Sequence, residues 1–576
     1  MFAPPRVLPC AGIPRYAACR AAGAVNAGSG DLATIVCVKE NQIPVVDVLV
    51  DDSGRLGPLS YLVPDDIQLA PGDAVTVPFG RTERHGLVLG PSTNPEKASR
   101  SILRRLGQRV DPRDMRLAFD LALKHFATHA QVAARLSPTS GRNSAPIECG
   151  DVALVRSAEE DELPVPEKNW SHRLYLRPPL VDPARLAALE ATRLAESGQV
   201  LVLCPTVKIL ERVLDEFSSG AARLDSRARA GAWNGWRSGS VRIGIGTRAA
   251  ALYSADRLAG IVVVEEEHPG HLESTLPYTH ARDVARRRAT SHECALSLIS
   301  AAPTALGLVG NKVVTFPNGF RLWPKVQIVD RSDLHPSLRN IPPKVRQVVA
   351  RSKHPVVTVA ENRPSRRVCS RCGDLRACGD CNGYCSHREL VPCPRCGSLG
   401  VRWIGWDAAR LKATIPESTP LTLTELANLP AEDRVVVFLN IDPLLTGHGL
   451  DTTHASASVL ARAAEAAGNG TLLLVTTAPE HPVLLAARNR DLLPVVQSIW
   501  EGAKTVGLPP FGNLVHVRLG WKNPPRVDDW PGRVLGPRRR GNEWEVLVVA
   551  SNADLDTLRI RLEGVRRRGK ARISIS

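Results

Sequence analysis

No apolar run in this 576-residue chain is long enough to cross a membrane, which argues against a spanning helix. The first forty residues lack the basic start and apolar core of a secretion signal. Rich in Ala, Gly and Pro, they are expected to be a disordered extension, or to precede the true start of the protein. Nowhere does G-x-x-x-x-G-K-[ST] occur, so the usual backbone cradle for a triphosphate is missing. Acidic residues are also in short supply. The 58 Asp and Glu face 74 Lys and Arg, for a net charge of +16. Such a surplus favours a polyanionic partner, nucleic acid first, because neutralised phosphates release counterions. A merely basic soluble protein is the plainer alternative, and the cytoplasm is the expected compartment.

Cysteine, by contrast, is concentrated. Of thirteen cysteines, seven fall within Cys369 to Cys396. Three C-x-x-C pairs stand there, Cys369/Cys372, Cys378/Cys381 and Cys393/Cys396, with Cys385-x-His387 between them. Each C-x-x-C presents two sulfurs from one tight turn, and zinc takes four such ligands in a tetrahedron. Eight ligands predict two structural Zn2+ sites in a small module over 366–400, with the Cys385/His387 site the more strained. Disulfides would require an oxidising compartment. Closed zinc sites do no chemistry, but each supplies on the order of 10 kcal/mol of folding free energy.

At 43% hydrophobic residues, the chain can build several cores, and its length predicts roughly four domains. VVDVLV (45–50), LSYLVP (59–64) and the 71–90 stretch read as strands of a small β-domain. Asp111-Pro112 reads as an N-cap followed by Pro at the first helical position. Leu117, Phe119, Leu121, Leu123 and Phe126 then read as a packed core at helical spacing. Beyond Trp170 short buried strands (200–204, 241–245, 261–264, 295–299) alternate with helices, which predicts a parallel sheet covered by helices. Two further strands (435–441, 471–475) predict a second lobe of the same kind. The acidic run 159–162 reads as a solvated linker. Residues 544–551 read as a strand and 554–568 as a helix. Four arginine clusters, Arg104-Arg105, Arg286 to Arg288, Arg538 to Arg540 and Arg566 to Arg568, suit phosphate contact, although such clusters are commonly solvated surface.

The order YLVP, PGDAVTVPFGR and a Gly-Leu-Val strand resembles the DNA 3′-end-binding domain of the PriA (primosomal protein N′) replication-restart helicases. That resemblance places Tyr61, Gly80 and Arg81 in a DNA-binding role. The family's motif begins FDYL, with its Asp in the pocket for the terminal nucleotide. Here Leu59-Ser60-Tyr61 stands instead, and the charge is lost. PTVKIL (205–210), IGTRAAALY (245–253), VVVEEEH (262–268), YTHARDVA (278–285) and ISAAPT (299–304) are similar, in order, to the family's helicase motifs. PEHPVLL (479–485) and GLPPFGNLVHVRL (507–519) continue the likeness toward the C-terminus. The implied fold is α/β: two RecA-like parallel-sheet lobes with an N-terminal β-domain, a winged-helix-like helical domain, a zinc-binding insertion and a C-terminal α+β DNA-binding domain. The implied boundaries are 1–42 extension, 43–100 β-domain, 101–165 helical domain and linker, 166–310 first lobe, 311–365 start of the second lobe, 366–400 zinc module, 401–505 remainder of the second lobe and 506–576 C-terminal domain. Family practice joins Cys369, Cys372, Cys393 and Cys396 in one zinc site and the inner ligands in another.

The departures from the family bear on function. Where its phosphate loop should stand, there is no Gly from Ser171 to Ser197 and no Lys from Asn169 to Val207. Glu265 replaces the magnesium-binding Asp, and Glu266 aligns with the acid that activates water; both are expected to be relics rather than working catalysts. Arg462, the one Arg between Leu439 and Thr477, reads as surface rather than as a finger for the γ-phosphate. The resemblance therefore implies a replication-restart protein that recognises branched or single-stranded DNA and helps reload the replicative helicase through partner proteins, without helicase activity. A divergent but active ATP-dependent helicase and a zinc-ribbon protein scaffold are the alternatives.

Overall fold

The computed structural model describes residues 44–575, apart from 52–56, 137–143, 157–170, 335–340, 362–365, 373–391, 447–451 and single positions 134, 230, 256, 276 and 333. The N-terminal extension, the acidic run and the inner cysteine ligands lie outside the described residues. No described helix is long and apolar enough to cross a membrane.

An antiparallel sheet comes first. Its strands are β1 (Val45–Val50), β2 (Leu59–Leu62), β3 (Asp73–Phe79), β4 (Thr82–Pro91) and β5 (Arg104–Arg109), ordered β2-β1-β4-β3-β5. Alternation in β3 turns Val75 and Val77 inward onto Val48, Val50 and Tyr61. The sheet continues beyond residue 100, because β5 pairs with β3.

Asp111 caps the next helix, Pro112–Lys124, by accepting from Arg113 N–H at 2.7 Å. Leu117 and Leu121 are buried, but Leu123 is 64% exposed. The expected core stripe was too broad. Two residues on from Leu121 is a turn of about 200° around the helix, which carries Leu123 to the opposite face. Phe126 leaves this core as well and packs against the C-terminal domain. A buried ion pair welds the helix to the seven-stranded domain. Asp114 accepts from Arg288 at 2.9 and 3.1 Å and meets His292 at 2.8 Å. Arg288 is therefore core rather than part of a phosphate-facing triplet. Arg286 donates to Leu306 O, which leaves Arg287 as the exposed member.

A short ribbon, β6 (Ala153–Leu154) with β9 (Phe217–Ser219), leads to a seven-stranded, wholly parallel sheet. Its strands are β7 (His172–Leu176), β8 (Gln199–Leu203), β10 (Ala221–Arg223), β11 (Ile243–Gly246), β12 (Leu258–Val264), β13 (Ala295–Ser300) and β14 (Lys312–Thr315). They are ordered β10-β11-β8-β12-β13-β7-β14. The central strands are apolar on both faces, as helices on each side demand. A second parallel sheet comes next, ordered β15-β21-β20-β16-β19. It contains β15 (Lys325–Asp330), β16 (Val356–Ala360), β19 (Thr419–Thr422), β20 (Val435–Phe438) and β21 (Thr471–Thr476). The ribbon β17 (Arg366–Cys369) and β18 (Val401–Ile404) flanks the cysteine module. Antiparallel strands β22 (Asn513–Leu519), β23 (Arg533–Arg540), β24 (Glu543–Ala550) and β25 (Ala571–Ile575), ordered β23-β24-β22-β25, close the chain. The helix Asn552–Arg567 covers their apolar face and starts in a Ser551/Asp554 capping box.

Candidate nucleic-acid interface, inter-sheet cleft and metal centre

The β-domain holds a cavity of about 440 Å³ whose wall includes Asp47, Ser60, Tyr61, Gly80, Asn94 and Arg100. Ser60 sits opposite Asp47 in the β1–β2 register. It donates to Asp47 at 2.8 Å, Ser92 donates at 2.7 Å, and Thr93 N–H reaches the second carboxylate oxygen at 3.1 Å. Burial pushes this carboxyl up, but the donors outweigh it and hold its pKa below the usual range. A carboxylate therefore stands in the cavity despite Ser60, supplied by the adjacent strand. Sequence matching missed Asp47 because it compares positions along one strand, whereas this substitution runs across two. Of the three DNA-binding candidates, Tyr61 and Gly80 line the cavity. Tyr61 donates to Pro78 O at 3.1 Å, and Gly80, at φ +62°, turns its carbonyl to Arg100 at 2.7 Å. Arg81 is exposed on the β3–β4 turn, outside the lining.

Between the two parallel sheets lies a second cavity, of about 800 Å³. The helicase-like motifs end here, at the carboxyl ends of β8, β11, β12 and β13. The segment after β7 runs Arg177-Pro178-Pro179-Leu180-Val181 before Asp182 caps the helix Pro183–Ala195. Arg177 is buried in its own loop and donates to Pro179 O at 3.1 Å and Val181 O at 2.7 Å. A phosphate loop aims amide N–H groups at an anion. This loop aims carbonyls at a cation.

The cation is further neutralised across the cleft. Arg177 meets Glu465 at 3.2 Å and Glu265 at 3.8 Å. Arg462 on the helix Thr452–Ala467 donates to Glu265 at 2.5 Å and lies 3.4 Å from Glu465. The expectation that Arg462 is surface is thus corrected: it bridges the two sheets because a buried carboxylate faces it. Glu265 is 2% exposed and sits at φ +53°, a left-handed conformation at the end of β12. Burial raises its pKa, but Arg462 and then Arg177 overcome this and lower it to about 2. Glu266 is fully occupied elsewhere. It accepts from Arg282 at 2.8 Å, Thr304 N–H at 2.7 Å and the Thr304 hydroxyl. Gly307 is required beside it, since a Cβ there would lie 2.3 Å from its Oε1. As placed, Glu266 is a structural acceptor with no face toward the cleft's water.

Glu267 is the unsettled member. Among the described residues its Oε2 has no hydrogen-bond partner, and its Oε1 lies 3.9 Å from Arg462. Burial drives its pKa up to about 7; Arg462 opposes the rise, and the Glu265 and Glu266 charges add to it.

The four outer cysteines converge. The Sγ atoms of Cys369, Cys372, Cys393 and Cys396 all lie within 4.8 Å of one another. Two pairs approach to 3.5 and 3.6 Å. A zinc–sulfur bond of about 2.3 Å implies edges of ~3.8 Å in a tetrahedron, so the set fits a four-coordinate metal. The Cys372 N–H, directed at Cys369, brings that thiol down to about 6, toward the thiolate a metal needs. Cys378, Cys381, Cys385 and His387 lie outside the described residues.

Comparison with known proteins supports the same assignment. The family model for the PriA 3′ DNA-binding domain (3′BD) matches residues 47–138. Replication restart protein PriA of Bacillus subtilis is 26% identical over 265 residues, 39% of this chain and 33% of that protein. That of Synechocystis is 24% identical over 425 residues, 58% of this chain and 51% of its own. The probable PriA of Mycobacterium tuberculosis is 26% identical over 451 residues, 67% and 68% of the two chains. The chain thus spans only a third to a half of the length of the first two relatives. Among solved structures, the DUF1998 helicase MrfA bound to DNA aligns at a TM-score of 0.30 with 14% identity over 58% of this chain and 50% of its own, too weak a likeness to bear on the fold.

The Glu267 environment makes a pH prediction. Its folded pKa, about 7, lies above an unfolded value of about 4.3. The folded state therefore holds the extra proton between these values. Stability is greatest below the lower one and is lost as pH rises to the upper, by on the order of 4 kcal/mol at most. Glu267→Gln should leave stability at pH 5 nearly unchanged and raise the melting temperature at pH 8. Parallel losses for wild type and variant between pH 5 and 8 in calorimetry would refute the assignment.

The cross-strand carboxylate in the β-domain pocket lies within the segment that matches the PriA 3′ DNA-binding domain, and the chain is similar over 39 to 67% of its length to replication restart proteins of the PriA family.

Proposed function

We propose that this protein acts in replication restart as a fork-recognition factor that does not hydrolyse ATP. In this reading the two parallel sheets are RecA-like lobes, and they retain the motor's frame as a scaffold. One observation carries the proposal: Arg177 and the carbonyls around it fill the place where a triphosphate would need amides and a lysine. Bound ATP would confront converging carbonyl dipoles and the Glu265 and Glu465 carboxylates. Calorimetry of the full chain with Mg·ATP, with and without forked DNA, should show no binding at millimolar nucleotide. Turnover that disappears in Glu266→Gln would establish the active-helicase alternative instead.

Fork recognition is assigned to the β-domain cavity. Asp47 takes the place of the family's acidic residue and accepts a hydrogen bond from the free 3′ hydroxyl. Tyr61 and Arg100 border the same space, and Arg81 serves the adjoining backbone. Asp47→Ala should lower affinity for a fork with a free 3′-hydroxyl end about tenfold, the worth of one charged hydrogen bond. Forks ending in a 3′ phosphate should bind wild type and variant alike. Equal loss on both substrates would remove Asp47 from end recognition.

The outer cysteine set holds Zn2+ and braces the module carried by β17 and β18, with the inner ligands as a second site. The module and the C-terminal domain then offer the surfaces through which other primosome and helicase-loading proteins are recruited. Metal analysis should find about two zinc ions per chain. Cys369→Ser should remove one and lower the melting temperature, whereas a full complement in that variant would exclude the outer set as ligands.

A further inference from the structure

Three parts of the chain meet at a seam that none of the sites above uses. The helix Pro112–Lys124 ends there in Lys124, His125 and Phe126. The helix Ala281–His292 brings Arg287, and the C-terminal helix Asn552–Arg567 brings Arg559 and Arg566. Arg566 donates to Phe126 O, and Phe126 adopts φ +56° as it packs into the C-terminal core. This fixes the end of the first helix against the third.

The result is an accumulation of positive charge that the protein leaves uncompensated. His125 is only 5% exposed, and its Nδ1 has no partner among the described residues. Arg559 Nε is likewise buried and without a partner among the described residues, and its Nη1 lies 3.6 Å from the exposed Asp556. No hydrogen bond or ion pair is found for the Lys124 ammonium among the described residues. Asp283 is the carboxylate whose charge reaches Lys124 and His125, and it is taken by Arg282 at 2.9 Å and by Arg286 at 3.7 Å. The closing helix C-terminus contributes only about half a negative charge. Burial, then the charges of Lys124, Arg287 and Arg559, pushes His125 down to about 3, and Lys124 is lowered by burial and by Arg287 and Arg559.

A protein does not hold three cations around a buried imidazole at no cost. The cost is recovered when an anion enters. Arg287 is exposed, so the seam is open to a group carried on a chain. We propose that Lys124, Arg287 and Arg559, with His125 beneath them, form a phosphate-binding site at the junction of the helical segment, the seven-stranded domain and the C-terminal domain. A phosphodiester of bound DNA and a free phosphate ion share this chemistry. Occupation by DNA ties three domains to one point on the backbone, and this part of the inference rests on the DNA-binding reading above.

The test uses the full chain, its Lys124→Met and Arg287→Gln variants, and Arg559→Gln should either of those fail to fold. Melting temperature is measured in inorganic phosphate against chloride at equal ionic strength. Affinity for forked and for linear single-stranded DNA is measured across a salt series. Wild type should be stabilised by phosphate and the variants should not. Because like charges are removed, each variant should melt at or above the wild-type temperature in chloride, which a purely structural cation would not do. Each variant should also lower the salt slope of DNA binding by about one. Phosphate stabilisation with an unchanged slope would retain the site and assign it to the free ion. That arm holds even if fork recognition fails. Variants that melt lower in chloride, with wild-type slopes and no phosphate response, would overturn the proposal.

Discussion

The cluster of Arg177, Glu265, Arg462 and Glu465 joins the two parallel sheets across the cleft between them. Two guanidiniums and two carboxylates, nearly all removed from water, must be held in good geometry or their desolvation goes unrecovered. Separating the sheets would expose or orphan each of them. The interaction thus favours one relative placement of the sheets, and Lys208 to Asn428 O at 2.8 Å and His454 to Ala302 O at 2.9 Å lie along the same seam. Glu265 tolerates a left-handed backbone to reach this arrangement, a strain that the surrounding contacts hold in place.

In this cleft, side chains of the protein itself supply the charges that close it. The same economy is visible at Glu266, whose acceptors are all consumed by Arg282 and Thr304. The segments around it supply spacing and packing: small residues at strand ends, a buried arginine opening the helix Ala281–His292, and a threonine turn after β13.

Much of the architecture was legible from residues alone. Parallel strands announced themselves as short β-branched runs, and the outer C-x-x-C pairs marked the four cysteines whose sulfurs converge. Asp111, read as a cap, begins its helix where its side chain allows it. Three readings were out of reach for a linear pattern. Arg462 looked like a surface residue because its carboxylate partner lies 197 positions earlier. Arg288 looked like part of a basic patch because helix rotation, rather than adjacency, sends it inward to Asp114. The charge removed at Ser60 is returned by Asp47, a neighbour only through sheet register.

By itself, then, the sequence determined which elements form, the missing phosphate loop and the family likeness, because these depend on local periodicity, turn chemistry and motif order. Only the tertiary structure decided how the cleft between the parallel sheets is filled and which arginines meet solvent. Those outcomes depend on charges brought together from distant parts of the chain, where burial makes each unpaired ion costly and selects its partner.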